Sequence, residues 1–124
     1  MLSQPLEDLE NLQQQPILVI EDCSLSRRLL AQEALSLKLN VTLSSTIKEG
    51  WQLLTQSTYN YIILDNYFED DSLQGVEVAR DIKSRWPESI IILASANDYL
   101  LHVQIDGIDH IKRKPFLLKD LLTL

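Results

Sequence analysis

The chain has a single cysteine, Cys23, among 124 residues, which excludes an internal disulfide framework and fits a reducing compartment. Only three glycines are present and none are clustered, so a glycine-rich nucleotide-binding loop is excluded. Positive charge is scarce, with 11 Lys and Arg against 18 Asp and Glu. The resulting formal charge of −7 argues against direct nucleic-acid binding, which relies on clustered cations to displace counterions. No apolar run approaches the roughly 20 residues that span a bilayer, and the N-terminus lacks the basic start and apolar core of a signal peptide. A soluble, cytoplasmic domain without membrane association is expected. His102 and His110 have no paired metal-ligand spacing and read as ordinary polar residues.

What is present suffices for one core: 45% of the residues are hydrophobic, and the length suits a single domain. Residues 1–15 are acidic and Gln-rich, with Leu6, Leu9 and Leu12 spaced three apart. They are expected to be a linker or one weak helix, with a mobile lead-in preferred, ahead of a folded domain over 16–124. From Pro16 onward strand-like and helix-like stretches alternate. PILVIE is a continuous apolar run of the kind buried on both faces. Leu25, Leu29, Leu30, Ala34 and Leu37 then recur at helical spacing with Arg27, Arg28 and Glu33 between them, and Ser24 or Asp22 is the expected cap. A strand near Val41 to Leu43, a helix from Ile47 to Gln56, the run YIIL, an acidic loop, a helix from Gln74 to Trp86 and the run IIIL follow. The last third predicts a short helix over Asn97 to Gln104, a strand centred on Ile111 and a final helix starting at Phe116. The ending LLKDLLTL has no stop signal and reads as a truncated segment or an unusually short helix. Alternation of this kind implies βαβ units and a five-stranded parallel sheet.

Four of the apolar runs end in polar residues of different kinds: Glu21 and Asp22, then Asp65, then Ser95, then Lys114 before Pro115. If the runs are neighbouring parallel strands, these ends converge on one crevice. Three carboxylates, a hydroxyl and an ammonium in one small volume suit a hard divalent cation and a phosphoryl group. Each residue also has an ordinary structural reading. Strand-end Asp caps turns, an acid pair favours a helix start, Ser forms turns, and Lys114 sits in a basic run with Lys112 and Arg113.

The ordered set of Glu21-Asp22, Asp65, Leu93-Ala94-Ser95-Ala96 and Lys114-Pro115-Phe116 resembles the receiver domains of two-component response regulators. The likeness runs from Pro16 to the C-terminus. It implies a flavodoxin-like doubly wound sheet in the order 2-1-3-4-5. It implies Asp65 as phosphoacceptor and Mg²⁺ held by Glu21, Asp22, Asp65 and the backbone carbonyl of Tyr67. Lys114 and Ser95 would bind the phosphoryl oxygens, and a cis Lys114–Pro115 peptide would aim the lysine inward. A histidine kinase or histidine phosphotransfer protein would be the donor, with an output domain possible outside this sequence. The only catalysis implied is that of the domain's own phosphorylation and dephosphorylation.

Three features depart from the family pattern. Ile111 stands where a switching aromatic is common and is expected to be plain core. The loop NYFEDDSLQG after Asp65 is slightly long and carries Glu69, Asp70 and Asp71, with bulky Tyr67 expected to shield the phosphoryl group from water. The stretch from Ser95 to Lys114 is short, so its helix must be abbreviated. These departures motivate an alternative, a degenerate receiver that signals by binding alone. A Mg²⁺-dependent hydrolase with Asp65 as nucleophile is a third reading, but Asn66 and Tyr67 supply no second acid or base.

Overall fold

The run after Pro16 forms β1 (Ile17–Ile20), and all four of its side chains are buried, as a strand covered by helices on both faces requires. It lies between β2 (Val41–Ser44) and β3 (Tyr61–Asp65), and β4 (Ile90–Ser95) and β5 (His110–Arg113) extend the sheet beyond β3. Every pairing is parallel and the order is β2-β1-β3-β4-β5. This is the flavodoxin-like, doubly wound sheet that the resemblance implied. The chain steps from β1 outward to β2 and then back across β1 to β3, so the winding direction reverses between β1 and β3. At such a reversal a crevice opens beyond the carboxyl ends of the strands. The structure is a computed structural model and describes residues 4–65, 75–96, 101–102 and 104–124. Tyr67, the acidic loop and most of the helix expected over Asn97 to Gln104 lie outside the described residues.

Helices cover both faces: α1 (Gln4–Gln13), α2 (Ser24–Leu37), α3 (Ile47–Gln56) and α4 (Gly75–Arg85). Successive strand residues point to opposite faces, which divides the core in two. Leu18, Ile20, Ile62, Leu64, Ile91 and Leu93 pack with Leu54 of α3 and Val78, Ala79 and Ile82 of α4. Ile17, Val19, Ile63, Ile92 and Ala94 pack with Leu12 of α1, Leu30 and Ala34 of α2, and Leu118 and Leu121 near the C-terminus. Thr46 caps α3 by accepting the Glu49 N–H at 3.0 Å. Helix α3 then passes so near β1 that a Cβ on Gly50 would stand 2.4 Å from Cδ1 of Ile20.

Several elements differ from expectation. The N-terminal stretch is a helix rather than a mobile lead-in: Leu12 is buried, and the Gln13 amide donates to the Leu37 carbonyl at 2.9 Å, satisfying an open carbonyl at the end of α2. Neither Asp22 nor Ser24 caps α2. The cap position is Cys23, without a side-chain hydrogen bond, because Ser24 is already helical and Asp22 belongs to an acid cluster described below. The final helix is a 3-10 helix, Leu118–Thr123, whose buried Leu118 and Leu121 follow the three-residue repeat of that geometry. Among the described residues no helix is long and apolar enough to cross a membrane.

Candidate functional site

The polar strand ends meet at the carboxyl ends of the strands. Glu21, the residue after β1, donates its N–H to the Ser44 carbonyl at 2.9 Å, which anchors the acid pair at the mouth of the crevice. Glu21 is buried and Asp22 half-buried. Asp65, the last residue of β3, is only 4% exposed and stands in register with Ala94, one residue before the buried Ser95 that ends β4. The Lys114 N–H, just past β5, donates to the Ser95 carbonyl at 3.0 Å. The Lys114–Pro115 peptide is cis, and the Lys114 ammonium forms an ion pair with Oδ1 of Asp65.

Glu21, Asp22 and Asp65 each offer a carboxylate oxygen, and these oxygens all lie within 4.8 Å of one another. An all-oxygen, all-anionic donor set is the chemistry a hard cation requires. The residues therefore fit Mg²⁺; Tyr67, expected to add a carbonyl, lies outside the described residues. Confining the acids has an electrostatic consequence. The Glu21 carboxyl is pushed up to about 7, first by burial and then by the neighbouring Asp65 charge, while Lys114 pulls it down. Its hydrogen bond with Asp65 raises it further, and one with the Cys23 backbone acts the other way. Adjacent buried carboxylates favour a shared proton or a counter-ion.

Helix α2 ties down both sides of the site. Arg27 donates to the Glu21 carbonyl at 2.8 Å, fixing the β1 side. On the other side Glu33 accepts the backbone N–H groups of Leu118 at 2.6 Å and Lys119 at 3.1 Å. An apolar cavity of about 390 Å³ opens beside Asp65 between α2 and the Lys114–Leu117 segment, with Leu30, Glu33 and Phe116 in its wall. The sequence showed Arg27 and Glu33 only as polar positions between helical leucines. Nothing local marks a partner that is 85 residues away. Ile111 is half-buried opposite Leu93 and packs against the core beneath α3 and α4.

A family model described as the response regulator receiver domain matches residues 17–124. No curated protein sequence matches the chain. Among solved structures, response regulator TrrA from Thermotoga maritima, in complex with Mg²⁺-BeF, superposes with a TM-score of 0.73 at 24% identity, over 86% of this chain and 92% of that one. TrrA bound to histidine kinase ThkA gives a chain at TM-score 0.72 and 24% identity, over 86% of this chain and 91% of that one. A co-crystal of the Saccharomyces cerevisiae phosphotransfer protein Ypd1 with the receiver domain of Ssk1 gives TM-score 0.69 at 19% identity, over 86% and 82%. Identities this low establish a common fold.

Proposed function

The chain belongs to the response regulator receiver domain family, and from that membership we propose that it is a signalling switch phosphorylated on Asp65 by a cytoplasmic histidine kinase or histidine phosphotransfer protein. The observation that carries the proposal is the surroundings of Asp65. Its carboxylate is buried at the end of a central strand, paired to Lys114 and within ligand distance of Glu21 and Asp22. A carboxylate so fixed can attack phosphorus in line. The new bond joins an Asp65 oxygen to phosphorus as the bond from phosphorus to the donor's imidazole nitrogen breaks, and the released imidazole takes a proton from solvent. Lys114 then exchanges its partner, from the free carboxylate to a phosphoryl oxygen. The Ser95 hydroxyl would donate to another. Mg²⁺, held by Glu21, Asp22 and Asp65, would neutralise the gathering negative charge. We propose no chemistry on exogenous substrates, since the two acids beside Asp65, Glu21 and Asp22, are the ones that would hold Mg²⁺.

Incubation with Mg²⁺ and acetyl phosphate, followed by intact mass measurement, tests the reading. Gain of one phosphoryl group, absent in Asp65→Asn, is the expected result. Absence of any adduct in the unmodified protein favours the degenerate, binding-only receiver, and repeated turnover of phosphoester favours the hydrolase.

A further inference from the structure

We infer that Glu33 is a positioning residue for Lys114: by holding the start of the C-terminal 3-10 helix, it sets how far the lysine reaches into the phosphoryl site. This inference rests on the reading of Asp65 as phosphoacceptor.

The Lys114 side chain is about one-third exposed, so packing alone does not fix its long stem. Four rotatable carbons must instead be directed by the backbone that carries them. That backbone is pinned at two places. At the near end the Lys114 N–H is bonded to the Ser95 carbonyl at 3.0 Å, which ties it to β4. At the far end Leu118 and Lys119 give their N–H groups to the two oxygens of one carboxylate, Glu33. Only Pro115, Phe116 and Leu117 lie between. These N–H groups open a helix and have no partner within it, so Glu33 satisfies donors that would otherwise be open. The charged acceptor makes such bonds stronger than neutral ones. The cavity beside Asp65 leaves room for this segment to move if the far pin is released. Since Arg27, on the same helix, holds the Glu21 carbonyl, α2 sets the separation between the cation side and the lysine side of the site.

Glu33→Gln provides the test, because its side chain has one acceptor oxygen, and its amide nitrogen would face an N–H as a second donor. Three explanations give different results. If Glu33 acted only through its charge, its removal would tighten binding of an anion such as beryllofluoride. If it were only structural, Glu33→Gln would melt earlier with anion binding unchanged. Positioning predicts that beryllofluoride binding, followed by ¹⁹F NMR in the presence of Mg²⁺, weakens by roughly tenfold, within the up to 10²-fold that a misplacement of about 1 Å produces. Mg²⁺ affinity without beryllofluoride stays unchanged. In metal-free protein the Lys114 ammonium signal in a lysine side-chain NMR spectrum broadens or is lost. Unchanged or tighter beryllofluoride binding with an intact Lys114 signal overturns the inference. If the unmodified protein itself fails to bind beryllofluoride, the phosphoacceptor reading fails, and the metal-free Lys114 signal still decides the role of Glu33. Should Glu33→Gln not fold, Glu33→Met keeps the side-chain length, suits the apolar cavity and accepts neither N–H, so the same measurements apply.

Discussion

At the scale of single residues, the site is a balance of charge in a small buried volume. Glu21 holds a proton more tightly in the folded chain than in the unfolded one, with burial and the Asp65 charge as the main causes. A group whose folded value is raised favours folding below its unfolded value near 4.5 and loses that advantage as pH rises through about 7. Metal-free protein is therefore predicted to lose stability on the order of 2 kcal/mol between about pH 5 and pH 8. Mg²⁺ competes with that proton, so its stabilising effect grows over the same interval. Urea midpoints with Mg²⁺ and with EDTA check both slopes, and Glu21→Gln flattens the EDTA curve; a metal-free profile that is level or rises contradicts the assignment. The acid cluster was legible in the sequence because strand-end residues at parallel strands must converge. The place of Cys23 at the cap position was not, since Ser24 and Asp22 are better capping residue types and only the backbone geometry decides between three consecutive positions.

At the scale of elements, the spacing of α3 from the sheet depends on Gly50. A methyl group there meets the fully buried Ile20 at 2.4 Å. Alanine favours a helix over glycine by about 1 kcal/mol, whereas overpacking a core costs about 1–3 kcal/mol. Gly50→Ala is predicted to destabilise by a net of about 1 kcal/mol. The measurement has a built-in reporter. Trp51 of α3 meets Trp86, just past α4, edge to face at 5.2 Å, with the Arg85 guanidinium 5.6 and 5.5 Å from their ring centres. A fluorescence-detected urea midpoint that rises in Gly50→Ala would contradict the argument. The strands and α3 were readable because apolar runs and helical spacing are local signals. Helix α1 was underestimated because its hold on the fold is tertiary, through Leu12 in the core and Gln13 on the end of α2. The last helix is short, as one of its two readings had it. It starts not at Phe116 but at Leu118, where Glu33 accepts its first N–H groups, and it is 3-10 because its apolar residues fit two helical repeats.

At the scale of the whole molecule, the two ends of the sheet are built differently. The carboxyl ends concentrate unlike groups that a cation and a phosphoryl group would rearrange. Toward the opposite end a self-contained latch joins α4, β4 and the residue before β5. Asp109 accepts the Ile91 N–H at 2.8 Å and pairs with Lys83 at 2.9 Å, while Lys83 also donates to the Ser89 carbonyl at 2.8 Å. Burial pushes the Asp109 carboxyl up, but the Ile91 N–H and Lys83 outweigh it and hold it below its ordinary value. A lowered folded value contributes stability above the unfolded value and loses it as pH falls through the folded one. The acid unfolding of the protein is thus predicted to shift to higher pH in Asp109→Asn, with about 1 kcal/mol lost at neutral pH from weakened hydrogen bonds. A circular dichroism acid titration that superposes on the parent's would contradict this.

Phosphoryl transfer to Asp65 would turn its carboxylate into an acyl phosphate. After exposure to Mg²⁺ and a phosphohistidine donor, borohydride reduction converts an aspartyl phosphate to homoserine, which peptide mass mapping locates. Homoserine at position 65, dependent on Mg²⁺ and lost in Lys114→Ala, is the predicted result; a modified chain with an intact aspartate at 65, or homoserine at another acid, would contradict it.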